Sequence, residues 1–215
     1  MLQITDAWAT HIAKHLFDWC TDMFIVDGSD LETRIKDFDE IKGRLQYRQK
    51  TYTVTLVTRY ITNTVPMVIR MAPQVVVKDI IKVVKARYII ADKGYRNIVN
   101  IWDAIRNNVV FLTPYVIDRL EGAVKELAEF LYRLRKPGER PFGNFSTRMT
   151  RLFSMDPDMC YKELLAYLTA HNIRSYFRVA LLNRLVTPIG PRFKREALQK
   201  AHECLMLAIR EAYKL

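Results

Sequence analysis

Apolar residues recur at intervals of three and four along most of this chain, and that spacing constrains its fold more than any other feature. Val76, Val77, Ile80, Ile81, Val84 and Tyr88 share one face of a helix drawn over residues 75–91. Ile98, Ile101, Trp102 and Ile105 do the same between Tyr95 and Asn108. Thr113-Pro114 opens another helix, because proline suits a first helical turn. It carries Val116, Leu120, Val124, Leu127, Leu131 and Leu134 inward as far as Lys136. Asp156-Pro157 starts a helix to Ala170, Asn172 to Val186 forms the next, and residues 192–215 form the last, with Leu198, Leu205 and Ile209 facing in. At the N-terminus Thr5 or Asp6 caps a helix with Trp8, Ile12, Leu16, Trp19 and Met23 at helical spacing. Asp27-Gly28-Ser29-Asp30 reads as a turn, after which Ser29 or Asp30 caps a short helix through Lys42.

Residues 51–71 are the exception. Tyr52, Val54 and Leu56 alternate with threonines, as on a half-buried strand. Leu56, Val57, Tyr60, Ile61, Thr64 and Val65 also fit a helical face, and the helical context favours helix, with a small β-hairpin as the alternative. The expected fold is mainly α, a multi-helix, bundle-like architecture of one or two lobes. Its clearest boundary is the Pro- and Gly-rich stretch 137–146. That stretch divides an N-terminal helical lobe, 1–136, from a C-terminal one, 147–215.

Charge points to the partner. Among 215 residues, 34 Lys and Arg stand against 23 Asp and Glu, for a net +11. Residues 1–43 hold nine acids and four bases, so an acidic head precedes a body of +16. The head suits contact with the basic surface of another subunit, hence a homo-oligomer. The body's charge lies in three stretches nearly free of acids: Ile41 to Lys78, Arg133 to Arg151 with Glu139 alone, and Leu164 to Arg195. A surface made only for solubility interleaves both signs. Acid-free stretches leave their cations for a polyanion.

The residues expected to meet nucleic acid are Lys78, Lys82, Lys85, Arg140, Arg148, Arg151, Arg174, Arg178 and Arg184. The lysines recur at i, i+4 and i+7. Arg174 and Arg178 flank Tyr176 and Phe177, a pairing that holds phosphates and stacks bases. No motif for base-sequence readout occurs. The leading expectation is therefore a non-enzymatic, sequence-nonspecific nucleic-acid-binding protein that self-assembles, of nucleocapsid, coat or ribonucleoprotein-subunit type, with RNA ahead of DNA.

Catalytic patterns are sparse. The seven glycines never take phosphate-loop spacing, and no serine or cysteine sits in a nucleophile elbow. Asp37, Asp39, Glu40 and Lys42 could serve a metal-dependent nuclease, which is the enzymatic alternative. His11, His15, Asp18 and Asp22 share a helical face that could meet a metal, although a core margin explains them more simply. No metal or cofactor is expected. A third class, a basic scaffold on anionic membrane, follows from the same charge. Cys20, Cys160 and Cys204 lack metal or redox spacing and read as buried free thiols in an intracellular setting or an assembled particle.

Overall fold

The computed structural model describes residues 1–15, 20–41, 44–70, 74–138, 152–154, 156–181 and 195–214. Helix α1 spans Leu2–His15. Three strands follow: β1 over Met23–Ile41, β2 over Arg44–Arg59 and β3 over Thr64–Arg70. Helix α2 (Val77–Val83) leads to β4 (Tyr88–Ala91), and α3 (Ile98–Arg106) leads to β5 (Val110–Leu112). Short helices α4 (Pro114–Ile117) and α6 (Arg135–Gly138) flank α5 (Gly122–Arg133). Two longer helices close the fold, α7 (Pro157–Leu181) and α8 (Arg195–Ala212).

The strands form one mixed sheet in the order β3-β2-β1-β4-β5. β1, β2 and β3 pair antiparallel, whereas β4 lies parallel to β1 and β5 parallel to β4. The chain is therefore an α/β protein, and the mainly α bundle expected from spacing is overturned.

Each misread segment has a physical reason. β4 is buried at all four positions. A strand covered on both faces shows no alternation, so Tyr88-Ile89-Ile90-Ala91 passes for the tail of the preceding helix. Residues 51–71 do alternate. Val54 and Leu56 pack with Leu164 and Leu168 of α7, while Val57 turns to the main core with Phe24 and Ile89. The helix favoured there is two strands of the sheet, joined at Asn63, whose φ of 56° is a left-handed turn that asparagine tolerates. The segment through Lys42, expected as a helix, is strand as far as Ile41, because pairing with β2 outweighs its local spacing. The register runs from Asp30↔Thr53 through a bulge between Glu32 and Lys36 to Ile41↔Arg44.

Other helices shift for local causes. The helix begun at Thr113-Pro114 ends at Ile117, and the chain passes through extended Glu121 and left-handed Gly122, at φ +56°, to start α5 anew. No break occurs at Asn172, and α7 is continuous. In α1 the buried stripe is Thr5, Ala9 and Ala13, whereas Trp8 is half exposed at 51%.

Buried polar contacts fix the layers. Asn172 receives the Val65 N–H at 2.7 Å and donates to the Val65 carbonyl at 2.9 Å. Arg59, buried beneath α1, donates twice to Asp6 at 2.8 Å and also to the Thr21 carbonyl. Asn100 of α3 accepts from Val76 and Val77 at the start of α2 and donates to the carbonyls of Gln74 and Tyr95. Among the described residues, no helix is long and apolar enough to cross a membrane.

Candidate functional site

The parallel pairing of β1 with β4 ends at Val26↔Ala91. Asp92 follows the end of β4, and Asp27 lies one step past that pairing within β1, which runs on to Ile41 beside β2. Both aspartates thus stand at the carboxyl ends of the parallel segments. Ligands of open α/β sheets bind in the crevice beyond those ends. Arg135, at the head of α6, reaches both carboxylates. Its guanidinium lies 3.0 Å from Asp92 Oδ1 and 3.6 Å from Asp27 Oδ1. Asp27 also accepts the Gly28 N–H at 3.0 Å.

The floor is rigid and dry. Tyr95, buried, shares a 3.0 Å hydrogen bond with Thr55 of β2. Burial pushes the Tyr95 phenol upward from its ordinary range, and the charges of Asp27 and Asp92 add to that. The phenol therefore stays protonated at neutral pH. Asn100 holds the Tyr95 carbonyl at 3.0 Å and so ties the loop after β4 to α2. Asp27, Asp92, Arg135 and the Tyr95 hydroxyl thus come from three places, β1, the loop after β4 and α6, that the sheet and α3 bring together.

Sequence reasoning missed this group. The sequence reading places Asp27 in a turn and Arg135 in the second basic stretch, and gives Asp92 no role. A readable signal exists: two short apolar runs, Phe24-Ile25-Val26 and Ile89-Ile90-Ala91, each stop at an aspartate. That is the pattern of a buried strand delivering an acid to the sheet's edge.

The expected nucleic-acid residues are dispersed. Lys78 and Lys82 are exposed on α2, with Lys82 3.5 Å from Asp79. Lys85 lies beyond the end of α2 at Val83, so the three lysines do not form one helical row. Arg174 and Arg178 are exposed on α7, where Phe177 is 55% exposed and Tyr176 meets Trp8 of α1 edge-on at 6.1 Å. Arg140, Arg148, Arg151 and Arg184 lie outside the described residues.

The two weighed metal groups fare differently from the aspartate pair. Asp37, Asp39 and Glu40 fall on the distal part of β1, and Lys42 lies outside the described residues. His11 and His15 stack at 4.6 Å, but Asp18 lies outside the described residues and Asp22 sits 3.8 Å from Arg87. Among the described residues no three metal-ligating side chains come together. Cys20 and Cys160 are buried free thiols as expected, with pKa raised by desolvation, while Cys204 is exposed.

These features define an α/β protein with paired carboxylates at the mouth of its central parallel strands. The chain matches no protein-family model, no curated protein and no solved structure.

Proposed function

We propose that the chain acts on nucleic acid, cleaving or transferring phosphodiester bonds with a divalent cation held by Asp27 and Asp92. The observation that carries this reading is the placement of those two carboxylates, each one step past the parallel pairing of β1 with β4 and both within reach of Arg135, in a chain of net charge +11. A magnesium-like ion needs no all-protein cage. It is commonly held by one or two carboxylates, with water and substrate phosphate completing its shell. A pair rather than a triad therefore suffices. Such an ion polarises a phosphoryl oxygen and activates water.

The chain's own residues supply the rest. Asp27 lies on backbone paired with Leu56, and Asp92 directly follows β4, so the register Val26↔Ala91 brings the two close before substrate arrives. Arg135 offers a planar fork that fits a phosphodiester as well as a carboxylate. Tyr95, kept protonated and hydrogen-bonded to Thr55, holds the wall behind Gly28. In hydrolysis, water forms the new P–O bond, the bond to the sugar oxygen breaks, and that oxygen gains the proton that water loses.

The test is incubation of the full chain with single- and double-stranded DNA and RNA in magnesium or manganese. Cleavage is expected in the wild type and lost, with binding retained, in Asp27→Asn and Asp92→Asn. Absence of cleavage on every substrate, or full activity in both Asn variants, overturns the reading.

A second reading keeps the nucleic acid and omits the chemistry: a self-assembling, non-enzymatic binder. It is favoured by the face where Arg174 and Arg178 stand beside exposed Phe177 and Trp8, since aromatic faces stack bases without sequence preference. Salt-dependent binding without cleavage would leave this reading standing.

A further inference from the structure

We infer that a cleft at the opposite end of the sheet, between α1 and the segment after α2, is a phosphate-binding site. The cleft has a volume of about 440 Å³. Its location is fixed by chain order. Lys14 and His15 end α1, ahead of β1, and Lys85 precedes β4, whereas Asp27 and Asp92 follow the paired parts of those strands. The four residues of β4 put about 13 Å between the two ends. The inference stands without the proposed chemistry at the aspartates.

The lining is cationic. His11, Lys14 and His15 come from α1 and Lys85 from beyond α2. All four are exposed, and none makes an ion pair with a described residue. Asp6 is the single acid of the lining. Both of its oxygens are engaged by Arg59 at 2.8 Å, so the pair contributes no net charge.

Two lysines and two imidazoles offer more donors than one carboxylate can accept. A phosphate, with its several oxygens, uses them, and the volume admits an attached nucleoside. The source is either a phosphate of a polynucleotide or that of a free nucleotide.

The experiment titrates the full chain with inorganic phosphate, observing the ring C–H signals of His11 and His15 by NMR. Both signals should move and saturate together. In Lys14→Glu/Lys85→Glu, phosphate affinity should drop at least tenfold. Lys85→Ala, exposed and outside any helix, gives a further variant that does not disturb folding. A single-stranded oligonucleotide that displaces phosphate assigns the site to a strand, whereas displacement only by nucleoside monophosphate assigns it to a free nucleotide. Signals that do not move, or wild-type affinity in the charge-reversed variant, overturn the inference. Asp27→Asn should bind phosphate like wild type, which separates failure here from failure at the aspartates.

Discussion

The carboxylates of Asp27 and Asp92, from neighbouring parallel strands, share the single guanidinium of Arg135. One positive charge thus balances two negative ones held close by sheet pairing. Replacing the clamp tests that balance. Arg135→Gln should lower stability by about 1–2 kcal/mol in chelator, since a partly buried charged contact is lost. Millimolar magnesium should restore most of it in the variant while shifting the wild type less. Thermal melts with and without the ion measure both effects, and a magnesium response equal to that of the wild type would count against a shared anionic site.

The Asp6–Arg59 pair makes a different prediction. Both side chains are under a tenth exposed. Removing one partner leaves a buried charge uncompensated, which costs about 3–5 kcal/mol, whereas replacing both with apolar residues is far milder. Arg59→Met should therefore destabilise strongly, and Asp6→Leu/Arg59→Met should recover much of the loss. Urea denaturation of the two variants checks this ordering.

Asn172 does for β3 what a sixth strand would do. It satisfies the N–H and the carbonyl of Val65 and also donates to Thr5 at 3.1 Å. Asn172→Leu fills similar space but strands buried backbone groups, at about 1–3 kcal/mol each. Amide exchange at Val65 should accelerate well beyond that of Ile89, deep in the core.

Acid should loosen the fold through two histidines. Burial holds His171 and His202 below the ordinary imidazole value of 6.5, despite their bonds to the carbonyls of Asn63 and Asn108. The unfolded chain then takes up protons at a higher pH than the folded one. Their stabilising contribution is complete above 6.5 and is lost as pH falls through the lowered folded values. Melting temperature should decline between about pH 7 and 5. His171→Gln together with His202→Gln should flatten that decline, and an unchanged slope would exclude them as its cause.

On α7, reversal of charge at Arg174 and Arg178 should weaken nucleic-acid binding evenly across sequences. With six to ten phosphates engaged, wild-type affinity should fall by about 10³–10⁵ between 50 and 200 mM salt. Filter binding across that range measures both, and unaltered binding in the reversed variant removes this face from the interface.

Much of the helical layer was legible in the sequence, because α3, α5 and α8 are amphipathic and display their spacing openly. Thr113-Pro114 starts α4, where the Thr113 hydroxyl accepts from the Val116 N–H. The sheet was hidden for two opposite reasons. β4 is so deeply buried that polar alternation vanishes. In the distal part of β1, Leu31, Ile35, Phe38 and Ile41 keep helical spacing, and only pairing with β2 decides the outcome. Each aspartate is marked by the apolar run before it, but their pairing was illegible, because they are 65 positions apart and meet only through the register Val26↔Ala91. The basic stretches, by contrast, were visible at once, since charge density needs no partner strand to be read.

The reach of the β1–β2 hairpin has a mechanical consequence. β4 leaves β1 at Val26 and β3 leaves β2 at Thr55, yet β1 and β2 remain paired as far as Ile41 and Arg44. From Leu56, which faces Asp27, to Arg44 the ribbon extends about 40 Å. Asp27 stands at its root. The ribbon is a lever with its fulcrum at the carboxylate: one degree of rotation there moves the tip by about 0.7 Å. Conversely, whatever grips the tip applies torque to the residue that lines the crevice.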